Sequence, residues 1–83
     1  MSKPVQIEGA DNYGKPRQEF ANKVAELSDE SFVTEAKERI WLSAYASSNP
    51  RSDYHWQADL CYDEAQRRGN PKLYTEAFKR ASA

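Results

Sequence analysis

Eighty-three residues with 12 Lys and Arg against 13 Asp and Glu carry a formal net charge of −1, which limits the chain to one small domain and argues against phosphate-driven nucleic-acid binding. The mean hydropathy of −0.98 predicts no membrane span. The single cysteine excludes an internal disulfide and a multi-cysteine zinc site and suits a reducing cytoplasm.

Leu, Ile, Val and Phe together number only 12 of 83, a level that points to disorder when net charge is high. Here net charge is small, and 3 Phe, 2 Trp and 5 Tyr each bring about 150–250 Å² of surface to bury. A folded domain with a small, aromatic-rich core is the better reading. Residues 1–50 carry 6 basic against 8 acidic side chains and residues 51–83 carry 6 against 5, so neither half has a nucleic-acid binder's basic excess. The start of the chain lacks the apolar run of a signal peptide.

Residues 1–15 contain Pro4, Gly9 and Gly14 and hold no sustained period. A mobile N-terminal tail is the preferred reading, and a two- or three-residue strand through the alternating Val5 and Ile7 is the alternative. Residues 16–83 form the single helical domain. Pro16 suits a first helical position, and Phe20, Val24 and Leu27 give one apolar stripe at steps of four and three. Ser28 stops this helix and caps a second, with Asp29 and Glu30 at the positive end of its dipole. The second helix is predicted to run from Asp29 to Ala46 or Ser47, burying Phe32, Val33, Ala36, Ile40 and Ala44. Asn49–Pro50 ends it.

The third helix begins at Pro50 or after Ser52, depending on which residue caps it, and closes at Gly69 as a left-handed C-terminal residue. Asn70 as cap and Pro71 as first helical residue open a fourth helix to about Ala81, with Leu73, Ala77 and Ala81 along one stripe and Tyr74 and Phe78 beside it. So short a turn makes the last two helices neighbours in a helical hairpin. The fold class is all-α, a compact bundle of three to four short helices.

At 100° per residue the third helix is apolar on two sides. Tyr54, Ala58, Cys61 and Ala65 cluster within about 60°, with Tyr62 at the edge, and Trp56 and Leu60 form a narrower stripe opposite. On the second helix Trp41 and Tyr45 lie one turn apart to one side of the main face, and Leu42 points away. A helix with two apolar sides sits mid-bundle or offers one side to a partner. Two readings follow for Trp41, Tyr45, Trp56 and Leu60: helices one and four cover them, or some stay exposed and anchor a partner, as Trp, Tyr and Arg do at binding hot spots.

Candidate chemistry is thin. Cys61 reads as an inert core thiol, since His55, six positions away, does not face it and a reactive thiolate needs a base or an electropositive setting. His55, Asp59 and Asp63 share a face at i,i+4 steps and read as a solvated stripe with His55–Asp59 pairing, ahead of a divalent-metal site. Ala65 and Gly69 have the spacing of a helix-turn-helix, but Glu64, Asn70 and Thr75 stand where that motif wants apolar residues. Arg67 and Arg68 then read as cations on a helix C-terminus. No phosphate loop, dinucleotide fingerprint or nucleophile elbow occurs, so no catalytic activity, no metal and no cofactor are expected.

Residues 39–74, RIWLSAYASSNPRSDYHWQADLCYDEAQRRGNPKLY, resemble small uncharacterised proteins encoded by phages of actinobacteria such as mycobacteria. The wording that carries the resemblance is Trp–Leu–Ser, Asn–Pro–Arg–Ser–Asp–Tyr–His–Trp–Gln and Arg–Arg–Gly–Asn–Pro. It implies a viral accessory protein made in the host cytoplasm that binds a host protein and blocks or redirects it. The expected function is therefore that of a non-catalytic protein-binding module, with self-association as a further option. Its expected anchors are Trp41, Tyr45, Trp56 and Leu60, with Arg51 and His55 at the rim. The alternative is a small DNA-binding regulator using the C-terminal hairpin through Arg67, Arg68, Lys72, Thr75, Lys79 and Arg80.

Overall fold

The computed structural model describes residues 3–83. Met1 and Ser2, the first two residues of the expected tail, lie outside them. Four helices follow in order: α1 (Arg17–Ala25), α2 (Asp29–Tyr45), α3 (Asp53–Arg67) and α4 (Lys72–Ala81). All lie within two residues of the expected bounds, although Pro16, expected as a first helical residue, has ψ 133° and stands just before α1, which has no side-chain cap. Ser28 sits in extended backbone and its hydroxyl accepts from the Ser31 N–H at 3.2 Å, satisfying one of the unpaired donors of α2. Ser52, not Asn49, caps α3, accepting from the Tyr54 N–H at 3.2 Å.

Gly69 takes φ +71°, and the Gly69 and Asn70 N–H groups donate to the Gln66 and Ala65 carbonyls. That pair of bonds is a Schellman closure, which needs the left-handed residue that glycine supplies at least cost. Pro71 already has helical angles, φ −63° and ψ −15°, so proline's fixed φ starts α4.

Helix α4 packs mainly on α2, which also contacts α3, while α1 packs on α3. The α3–α4 hairpin is real but its two arms make the smaller contact. The core joins Val24 of α1, Phe32, Val33 and Ile40 of α2, and Leu60 and Cys61 of α3 through alanines at 21, 36, 58, 65 and 77. Alanine at these crossings lets helix axes approach closely, so a chain with few large aliphatics still closes a core. The Cα envelope measures 31 × 31 × 15 Å, and its thin dimension holds two helix layers at the usual spacing of about 8–10 Å. Two layers leave each helix with an outer side.

Ala44 departs from expectation. It was placed on the buried face of α2 but is exposed, because the buried residues of that helix end at Ile40 and its last turn runs past the packed layer. Residues 3–15 contain no helix, and Val5 and Ile7 form no strand; only an isolated bridge joins Ala10 to Pro16. The segment has a tail's irregular backbone but is laid along the bundle. Val5 and Ile7 pack against the core, Gln18 bonds to the Val5 carbonyl and the Ile7 N–H, and the Asn12 N–H donates to the Asp53 carboxylate at 3.1 Å.

Candidate protein-binding surface

The two apolar sides of α3 meet different fates from the outer side of α2. Leu60, expected on an outward stripe, is 1% exposed and belongs to the core, so it cannot anchor a partner. Trp56 is half-buried against the same layer. Its ring meets Phe20 of α1 edge-on at 5.6 Å between centroids, the Arg17 guanidinium lies over it, and its Nε1–H donates to Asp53 Oδ1 at 2.8 Å. The indole's apolar body and polar edge are both satisfied inside the domain. Helix α1 supplies this cover through Phe20 and Arg17.

His55 is not a rim residue. Its Nε2 lies 2.9 Å from the Asn49 carbonyl and 3.2 Å from the Ala46 carbonyl, and Nδ1 lies 2.7 Å from the Ser43 hydroxyl. Both partners of Nε2 are acceptors, so that nitrogen carries the hydrogen. The ring therefore closes the carbonyl end of α2 and ties it to α3, replacing the expected solvated pairing with Asp59. Among the described residues no group of His, Cys, Asp and Glu is arranged to hold a metal ion. Arg51 is exposed, and its carbonyl accepts from the Asn12 side chain.

Trp41 and Tyr45 remain on the outside. Trp41 is 51% and Tyr45 78% exposed, and their rings stack at 5.5 Å with 16° between planes. Positions 34, 38, 41 and 45 fall at steps of four, three and four, the spacing of a helix–helix seam. Beside Trp41 a shallow groove of about 310 Å³ is lined by Thr34, Lys37, Glu38 and Trp41. The outer side of α2 thus carries two large aromatics and an adjoining groove, with polar residues toward its start. Nothing in the core requires either ring.

The basic residues of the hairpin divide into two groups. Glu64 is fully buried, and Arg67 and Arg68 both bond its carboxylate, at 2.6 and 2.7 Å. Arg68 also donates to Asp29 and to the Val24 and Leu27 carbonyls, and its guanidinium lies 4.6 Å from the Phe32 ring centre. Burial alone would raise the Glu64 pKa, but the hydrogen bonds and charges of Arg67 and Arg68 outweigh it and hold the carboxyl below its ordinary range. These arginines are structural, a role that the dipole reading of Arg67 and Arg68 did not foresee. Lys72, Thr75 and Lys79 are exposed, and Arg80 pairs with Glu76 at 2.9 Å. Two of the five cations expected on the hairpin, Arg67 and Arg68, are therefore committed inward.

A second, more polar cleft of about 270 Å³ lies between the Asp11–Tyr13 turn and the start of α3. Its charged groups are already engaged: Asp53 by Asn12 and Trp56, and Arg39 by Glu35. Cys61 is fully buried, and burial, with Glu35 nearby, pushes its thiol up to about 12, which removes the thiolate a nucleophile needs. No helix among the described residues is long and apolar enough to cross a membrane. Comparison with family models, with curated proteins and with solved structures finds no match to this chain.

Proposed function

We propose that this chain is a non-catalytic protein-binding module whose contact surface is the outer side of α2, centred on Trp41 and Tyr45. The observation that carries the reading is the stacked, exposed pair itself. Two large aromatics held in one geometry bring contact area at little further cost in side-chain entropy, and such residues dominate binding energy where they occur in interfaces. The interior makes no use of them, whereas Trp56 and Leu60, proposed from the sequence as co-anchors, serve packing instead. The anchor set therefore contracts to Trp41 and Tyr45.

The DNA-binding alternative loses ground on the same basis. Arg67 and Arg68 cannot reach phosphates without leaving a buried carboxylate unpaired, which leaves Lys72, Thr75, Lys79 and Arg80 on a chain of net charge −1. The resemblance to phage-encoded proteins supplies the setting: a bacterial cytoplasm, with a host protein as partner. Affinity capture with tagged chain from an actinobacterial lysate, comparing wild type with Trp41→Ala/Tyr45→Ala and with Lys72→Ala/Lys79→Ala, tests the proposal. The reading expects a protein retained by wild type and by the lysine variant and released by the aromatic variant. Salt-sensitive DNA binding abolished by the lysine changes would favour the alternative.

A further inference from the structure

The segment before α1 is seated on the bundle by its main chain and two aliphatic side chains. Val5 and Ile7 are partly buried and pack against the core, whereas Gln6 and Glu8 are exposed, the alternation of an extended strand. The Gln18 side-chain amide of α1 accepts from the Ile7 N–H at 3.1 Å and donates to the Val5 carbonyl at 2.8 Å. It thus takes the main-chain groups that a neighbouring strand would use. The same Nε2 donates to Asn22 Oδ1 at 3.0 Å, which fixes the amide's orientation. Among the described residues, every hydrogen bond from residues 3–8 to the bundle runs through Gln18. Gly9 follows at φ +94°, a hinge conformation that glycine adopts at little cost, and beyond it the chain is tied down again where the Arg17 N–H donates to the Gly9 carbonyl.

From this we infer that the seat on α1 is a docking site for an extended segment of a partner protein, with aliphatic residues two apart, and that Val5–Ile7 occupies it as a tethered self-ligand. Main-chain hydrogen bonds joined to pockets for alternate side chains are a recurring mode of peptide recognition. Gln6 turns back onto the Pro4 carbonyl and Glu8 faces outward, so the seat reads only the two aliphatic residues, and any segment of that pattern meets the same groups. One amide and two partly buried side chains hold the resident, which puts its release at the low end of local opening free energies. Gly9 lets it lift while α1 stays in place. The site is independent of the outer side of α2.

Titration of the isotope-labelled full chain with a blocked hexapeptide copying residues 3–8, followed by NMR, tests the inference. A short tether gives the resident an effective concentration of the order of millimolar, so a free copy binds at about 1 mM or tighter, and titration to about 5 mM suffices. The Val5→Ser/Ile7→Ser chain, its seat vacated, should bind the peptide and shift the Gln18 side-chain amide signals. Wild type should bind about tenfold more weakly, the effect of a resident seated nine-tenths of the time. Adding Gln18→Ala to the vacated chain should raise the dissociation constant at least about tenfold, for two lost hydrogen bonds. A vacated chain that is helical by circular dichroism yet ignores the peptide overturns the inference, as does binding indifferent to Gln18→Ala or equal in wild type. Hydrogen exchange in wild type needs no variant: the Ile7 N–H should exchange at least about tenfold faster than those of Leu60 and Cys61. Exchange at their rate would make the segment a fixed part of the fold and overturn the inference.

Discussion

Arg68→Ala is the substitution that most severely tests how this small core is held. In the folded chain Arg68 bonds Glu64 at 2.7 Å, Asp29 at 2.7 Å, and the Val24 and Leu27 carbonyls at 2.8 and 2.7 Å. One side chain therefore closes the C-terminal end of α1, the entry to α2 and the last turn of α3. Its removal leaves a fully buried carboxylate with Arg67 as its remaining cation and strips two backbone carbonyls of a partner. Breaking a buried pair costs about 3–5 kcal/mol, and the Leu27 carbonyl, left unsatisfied, adds about 1 kcal/mol, while the Val24 carbonyl keeps the Leu27 N–H at 3.2 Å. The Arg68 side chain is 12% exposed, so water recovers part of this and about 3 kcal/mol is the expected loss. For a domain of this size that lowers the melting temperature by about 12–24 °C, followed by circular dichroism. Arg80→Ala, which breaks a half-exposed pair with Glu76, is the control and should cost under about 0.5 kcal/mol. An Arg68→Ala variant melting within about 4 °C of wild type, a shift worth only about 1 kcal/mol, would refute the reasoning.

Three further outcomes are expected. Glu64 is held below its unfolded pKa, so its stabilisation is complete above the ordinary carboxylate range and is lost as pH falls through the folded value; urea midpoints measured from pH 7 to pH 2 should drop on this limb, and Glu64→Gln, though less stable, should drop less. The Cys61 thiol, pushed up to about 12, should react with a disulfide reagent at pH 8 far more slowly in the folded chain than in urea; comparable rates would place it outside the core. Trp56→Phe should keep the contact with Phe20 but lose the bond to Asp53, costing about 1 kcal/mol in urea unfolding, while Trp41→Ala should shift stability by less than about 0.5 kcal/mol.

The helix ends were legible because single residues set them. Ser28, Ser52, Gly69 and Pro71 act through their own backbone and side-chain chemistry, which no distant neighbour alters. Faces were less so. Leu60 and Trp41 have the same pattern of apolar residues one turn away, and only the packing of α1 on α3 buries the first and leaves the second outside. The role of Glu64 was not legible: an acid before two arginines reads as surface charge, and Arg68, which pairs with it, is held in place by Asp29, Val24 and Leu27, at least 39 residues earlier in the chain. His55 was misread for the same reason, since its partners Ser43, Ala46 and Asn49 lie across the turn on α2 and its exit. In the N-terminal segment the alternation of Val5 and Ile7 suggested only a short strand, which does not form, while both residues pack against the core, and Gln18, a polar residue near a helix start, gave no sign that it holds that segment down.

The central claim, that the outer side of α2 binds a partner, is tested most directly by site-specific photo-cross-linking. Benzoylphenylalanine replaces Tyr45, or Tyr62 or Phe78, which are exposed elsewhere at 46% and 53%, and the full chain is irradiated at high concentration and in host lysate. Adducts from position 45, with none from 62 or 78, are the predicted result. Adducts from 62 or 78 in the absence of any from 45 would contradict it.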